Sequence, residues 1–79
     1  MSRLIKLIWD FRGSVAEHTA EHHLIHLKEF IATENISITI TGTEKLNELY
    51  SIAFIVVTED LMIPMRDQLK PHRGEVYEV

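Results

Sequence analysis

Residues 50–57, with the sequence Tyr-Ser-Ile-Ala-Phe-Ile-Val-Val, decide the fold class of the chain. The stretch is β-branched and almost wholly apolar, which predicts a central strand that is covered on both faces. Upstream, the segment 36–41 alternates isoleucine with serine or threonine, which is the pattern of a half-buried strand. The polar segment 42–48 between them has the length of a hairpin connection. We therefore expect two strands in this half of the chain.

The remaining elements follow from the flanking sequence. Segment 4–11 alternates with large apolar residues on one side, which indicates a strand whose sheet packs on helices from that side. A helix is expected from Ser14, as its N-cap, to about Thr33. A second helix begins at 58–60 or near Pro64, and a short last strand occupies 75–79.

The order strand, helix, strand, strand, helix, strand predicts a ferredoxin-like α+β sandwich. Right-handed crossovers make the four-stranded sheet antiparallel, place both helices on one face and give the strand order 4-1-3-2. The whole chain, residues 1–79, is expected to form this single domain.

The other face of the sheet is expected to be partly apolar. Such a face in so small a domain favours a partner, and the economical partner is a second copy joined sheet to sheet. Tyr50 and Phe54 are expected on the side that faces the helices. The apolar residues expected on the open face are Leu4, Ile8, Ala53, Ile55 and Val57.

The composition excludes several classes of protein. With 46% hydrophobic and 25% charged residues among 79, the chain has the composition of a folded domain, and its longest apolar run, 52–57, is too short for a membrane span. It has no cysteine, so it offers no disulfide, thiolate nucleophile or cysteine-bound zinc. The net charge of −4 argues against nucleic acid as a partner. The N-terminus does not resemble a signal peptide, so we expect a cytoplasmic protein.

A histidine-rich helix is the one unusual local feature. Four of the five histidines lie in residues 18–26. His18, His22 and His26 repeat every four residues, and two neighbours at that spacing can hold one divalent ion. All three cannot, because the outer two are roughly 12 Å apart along the helix axis. We therefore take His22 and His26 as a candidate metal site. A third ligand is then needed, for which three residues are available: Asp10, Glu29 and His72.

A second candidate site combines the helix with the end of the first strand. His23 lies on the stripe that faces the sheet, where burial and a nearby carboxylate act on its pKa in opposite directions. The candidate catalytic pair is Asp10 with either His23 or His26. Arg12 and Trp9, beside Asp10, are candidate ligand-binding residues near a helix N-terminus. In the alternative interpretation the flank histidines and Arg12 are solvated, while His23 and Trp9 are core residues.

Asp10 together with the segment His23-Leu24-Ile25-His26-Leu27 resembles the YCII-related proteins of the dimeric α+β barrel group. The resemblance continues loosely through the apolar third strand to Glu59-Asp60. It implies a homodimer with a cleft between the sheet and the first helix, where a His/Asp pair is catalytic or ligand-binding. The topology and the position of Asp10 are also similar to those of the amino-acid-binding ACT domain.

Three functions therefore remain open at the level of the sequence. The first is a small dimeric ligand-binding protein or minor enzyme that uses the His/Asp pair on a small polar molecule. The second is an interaction or regulatory module without chemistry, which pairs through its open sheet face. The third is a protein that holds a divalent metal ion between histidines, with no other cofactor expected.

Overall fold

The computed structural model describes residues 3–38 and 40–78 of the chain. The four strands form one antiparallel sheet in the order β2-β3-β1-β4. This is the ferredoxin-like α+β architecture, so the predicted fold class and strand order are confirmed. The elements are β1 (Leu4–Arg12), α1 (Ala16–Thr33), β2 (Thr41–Asn47), β3 (Tyr50–Thr58), α2 (Glu59–Leu69) and β4 (Arg73–Tyr77).

The hydrophobic core lies between one face of the sheet and the two helices. Ala16 and Ala20 are almost fully buried, and their small side chains let the first turns of α1 approach the sheet closely. Leu27 fills the space further along the helix, and Met65 is the buried residue of α2. The sheet contributes six residues to this cluster: Ile5, Leu7, Trp9, Ala53, Ile55 and Val57.

The two faces of β3 are the reverse of the prediction. Trp9 and Ala53 are directly opposite in the antiparallel β1–β3 ladder, and opposite residues share a face. Since Trp9 belongs to the core, Ala53 does too, and so do Ile55 and Val57 at the following alternate positions. The prediction was wrong because β3 is apolar on both faces, so its pattern does not show which set is inside. Tyr50 and Phe54 therefore lie on the open face.

The open face also exposes less apolar surface than the sequence predicts. Ile8 is 1% exposed, Ile52 3% and Val56 5%, although all three point away from the helices. Cations lie over the aromatic rings of this face, with Lys6 Nζ 4.4 Å from the Phe54 ring centroid. The apolar side chains at the centre of this face are thus largely buried within a single chain, and the pairing of two copies through it stays a prediction.

The second strand is displaced from its predicted position. Of the segment 36–41, only Thr41 lies in β2, while the predicted connection 42–48 supplies most of the strand. Ile36 and Ile38 pack against the core outside any strand, so their alternation reflects burial rather than pairing. β2 is an edge strand with a mostly exposed surface, which accepts polar residues. Thr39 of the predicted strand lies outside the described residues.

The ends of several helices and strands differ slightly from the positions predicted from the sequence. Val15 rather than Ser14 is the N-cap of α1, and no side-chain hydrogen bond caps this end. Pro64 lies inside α2, which begins at Glu59. β4 begins two residues before the predicted 75–79 segment, whose last residue lies outside the described part. Neither helix in the described part of the chain combines the length and apolar character needed to cross a bilayer.

The revised position of β2 makes a prediction for NMR. The Val56 N–H donates to the Ile40 carbonyl (2.9 Å), and hydrogen-bonded pairs alternate with closer, non-bonded pairs along an antiparallel ladder. Thr43 and Ala53 then form a close pair, and their Hα protons should give a strong nuclear Overhauser effect. Strong Hα–Hα effects from Ile36 or Ile38 to β3 would instead support the strand expected from the sequence.

Candidate functional site

Asp10 stands at the centre of a polar cluster on the open face of the sheet. Its carboxylate accepts hydrogen bonds from Arg73, at 3.1 Å from Nε and 3.2 Å from Nη2, and from the hydroxyl of Tyr50. These residues come from β1, β4 and β3 in turn. The cluster therefore ties three neighbouring strands together through one carboxylate.

His72 and Arg12 extend this cluster. The backbone N–H of Asp10 donates to His72 Nδ1 (2.7 Å), and the backbone N–H of His72 donates to the Ile8 carbonyl (2.9 Å). Because Nδ1 accepts a hydrogen bond, the neutral His72 ring carries its proton on Nε2. The guanidinium carbon of Arg12 lies 4.0 Å from the Tyr50 ring centroid, in a cation–π contact.

The surroundings of Asp10 and Arg73 favour the charged form of both side chains. The hydrogen bonds from Arg73 lower the pKa of Asp10, with a further contribution from Tyr50, and they outweigh the opposing effect of burial. In return Asp10 raises the pKa of Arg73. A carboxylate with such donors is a weak base and is well suited to hold strands together.

The histidines of α1 line a separate cavity on the other side of β1. His23 packs against the strand, with its ring centroid 5.1 Å from that of Trp9 and 5.4 Å from that of Phe11. Burial lowers the pKa of His23, as do the neighbouring histidines, so the ring is neutral at neutral pH. Its buried Nε2 has no hydrogen-bond partner within residues 3–38 and 40–78. This cavity is shallow and largely open to solvent, has a volume of about 250 Å³ and is lined by Phe11, His18, Thr19, His22, His23 and His26.

His22 and His26, called the clamp below, lie together on the exposed flank of α1 beside this cavity. Their rings are stacked, with centroids 4.8 Å apart and planes inclined by 19°, and their Nε2 atoms lie 3.0 Å apart. On the far side of the His26 ring, Nδ1 lies 3.4 Å from Glu29 Oε1. The His26 and Glu29 side chains are both well exposed. In the part of the chain that the structure describes, no group of three or more His, Cys, Asp or Glu side chains is arranged to hold a metal ion.

The structure separates the residues of the predicted His/Asp site. Alternation along β1 puts Asp10 on the open face, whereas Trp9 and Phe11 carry His23 on the helix face. The hydrogen bonds of Asp10 run to Arg73, Tyr50 and His72, and the catalytic roles of Asp10, His23 and His26 stay predictions. By contrast, the structure brings His22 and His26 together as the predicted pair.

The two predicted ligand-binding residues, Trp9 and Arg12, make different contacts within the chain. Trp9 is 3% exposed, and its indole Nε1 donates to the Leu69 carbonyl at the end of α2 (3.0 Å), which gives it a structural position. Arg12 lies over Tyr50 on the open face. Sequence reasoning missed Tyr50 and Arg73 as the partners of Asp10. They lie 40 and 63 residues away, and nothing in their local sequence indicates the contact.

Comparison of the chain with models of protein families, with curated proteins and with solved structures finds no match. The resemblance to YCII-related proteins is therefore still a prediction from the sequence. The candidate site has to be judged from its own geometry.

The Asp10 cluster predicts a pH-dependent loss of stability. Replacing Asp10→Asn removes the charge that Arg73 pairs with, and we expect a cost of about 1 kcal/mol in the free energy of unfolding, since the partners are partly exposed. Because folding lowers the pKa of Asp10, its contribution is full above the unfolded value of 3.8 and disappears as the pH falls through the folded value.

Urea unfolding of both proteins from neutral to acid pH checks this expectation. The difference between them should be largest at neutral pH and should close below about pH 4. Asp67→Asn, which alters an exposed carboxylate on α2, is the matched control and should leave stability nearly unchanged. A constant difference at all pH values would show that the side chain acts through shape rather than through its charge.

Proposed function

We propose that the chain binds a divalent transition metal ion through His22 and His26. The observation that carries this proposal is the 3.0 Å separation of the two Nε2 atoms. A metal with bonds of about 2.0–2.1 Å to both nitrogens would subtend an angle of about 90–100° between them. The rings must turn so that both Nε2 lone pairs point at the ion, and the helix already places the two side chains one turn apart.

The protons of the two rings can be arranged to suit a metal. Without metal, one Nε2–H donates to the other Nε2, whereas coordination needs a lone pair on each. Each neutral ring then carries its single proton on Nδ1. Glu29 lies near the Nδ1–H of His26 and can accept a hydrogen bond from it. Such a bond would hold the ring in this tautomer and orient Nε2 toward the ion.

The ligand chemistry narrows the choice of ion. Neutral imidazoles suit zinc, copper, nickel and iron, whereas magnesium and calcium prefer oxygen ligands. The chain has no cysteine to compete for a soft metal, and its net charge of −4 attracts cations. Zinc is the simplest ion with which to test the site, because it has no redox chemistry of its own.

The other predicted functions have weaker support from the geometry. Asp10 and His23 lie on opposite faces of β1, which does not favour the His/Asp enzyme, and the covered open face does not favour pairing through the sheet. A small polar ligand, a cytoplasmic location, and a YCII-related homodimer stay compatible with a metal-binding chain.

Zinc titration by calorimetry tests the clamp. The wild-type chain should bind zinc at neutral pH, and the affinity should fall in acid, because protonated imidazole does not coordinate. His26→Gln or His22→Gln should weaken binding by more than about tenfold, since even the loss of an outer partner costs about 10–100-fold. Glu29→Gln, which alters the hydrogen-bond partner of the His26 ring, should weaken zinc binding by about tenfold.

His18→Gln is the matched control for these variants. It removes an exposed histidine from the same flank and leaves the His22–His26 pair in place. It should bind zinc as the wild type does. If all single histidine variants bind equally well, or if the wild-type chain takes up no zinc, the proposed clamp is wrong.

A further inference from the structure

We propose that the metal ion joins two copies of the chain, with His22 and His26 of each copy forming a four-imidazole site on a two-fold axis. This inference rests on the proposed metal site and adds that its partner is a second copy of the chain. The metal would then lie in an interface between the two copies.

The clamp is incomplete within one chain. Zinc in structural sites takes four protein ligands in tetrahedral geometry, and His22 and His26 supply two. In the described ranges 3–38 and 40–78, no third side chain of a suitable type joins them.

The three residues available in the sequence as further ligands have other contacts. Asp10 is held by Arg73 and Tyr50 on the opposite face of β1. His72 uses Nδ1 to accept the Asp10 amide, and Glu29 lies at the Nδ1 side of the His26 ring, away from its Nε2. None of the three joins His22 and His26 in the part of the chain that the structure describes, so the remaining coordination positions are open to ligands from outside the chain.

Symmetry supplies the missing ligands without any new residue type. A two-fold axis through the metal brings the same two histidines from a second copy, because an isologous interface uses one patch twice. His22 and His26 lie at the middle of α1 (Ala16–Thr33), so the two helices would cross near their centres. The clamp lies on the exposed flank of α1, at the mouth of the cavity that Phe11 and His23 also line.

The surface around the clamp suits a second copy. Ile25, a large apolar residue in the middle of α1, is 58% exposed. At about 100° per residue it projects beside His22, three residues earlier. Ile25 would lose solvent contact in a helix-to-helix pairing.

The charges of such a site also balance. Four neutral imidazoles leave the full 2+ charge of the ion, and Glu29 from each copy places one carboxylate behind a ligating ring. The assembled site is then neutral, whereas one chain with a metal and two waters keeps a net positive charge at this point.

Sedimentation velocity of the full chain at increasing zinc, together with bound-zinc analysis, tests the inference. The mass should double relative to the metal-free protein as half an equivalent of zinc is bound, and a chelator should reverse the change. His26→Gln should keep its metal-free mass at every zinc concentration. His18→Gln should double its mass as the wild type does.

The possible failures are distinguishable. Uptake of one zinc per chain with no change in mass would retain the clamp and overturn the bridged pair. Doubling that persists in His26→Gln would place the metal contact elsewhere and overturn both proposals. No uptake of zinc by the wild-type chain would overturn both as well.

Discussion

The alternation of side chains along β1 is the constraint on which the rest of the structure depends. This strand is hydrogen-bonded on both edges, to β3 and to β4, so its side chains can point only toward the helices or away from them. Trp9 and Phe11 turn inward and support α1 through His23, while Asp10 turns outward to Tyr50 and Arg73. Asp10 and the His23 ring are thereby kept on opposite faces, while His72 contacts Asp10 and also lies edge-on to Phe11, with 6.4 Å between the ring centroids.

The packing of α1 on that strand decides what each histidine can do. Ala16, Ala20 and Leu27 are the buried residues of the helix and fix its rotation about its own axis. His23 falls beside this buried stripe and becomes a neutral, partly buried ring. His22 and His26 fall on the outer flank, where one helical turn sets the distance between them. The same helix thus carries a histidine that packs on the sheet and the exposed pair that we propose as metal ligands.

The sequence predicts the fold and the clamp because both depend on local periodicity. Element order and crossover handedness give the sheet topology, and a spacing of four residues on a helix brings His22 and His26 together. The faces of β3 could not be predicted, since both of its faces are apolar. The Asp10 cluster could not be predicted either, because its partners depend on strand register, which joins residues far apart in sequence.

The position of β2 shows a different limit. Alternating Ile36 and Ile38 indicate burial correctly, but the burial is achieved by a segment that leaves α1 and packs on the core without pairing. The strand itself is polar because it lies at the edge of the sheet. Alternation therefore predicts which side chains are inside more securely than it predicts which residues hydrogen-bond.

Long-range proton–nitrogen correlation spectra of the histidine rings, recorded with and without zinc, test the central claim most directly. The claim is that His22 and His26 bind metal through Nε2. On adding zinc, the Nε2 signals of these two residues should take metal-bound shifts while both Nδ1 atoms carry protons, and His18 and His72 should keep their metal-free spectra. Coordination through Nδ1, or selective changes at other histidines, would contradict the account.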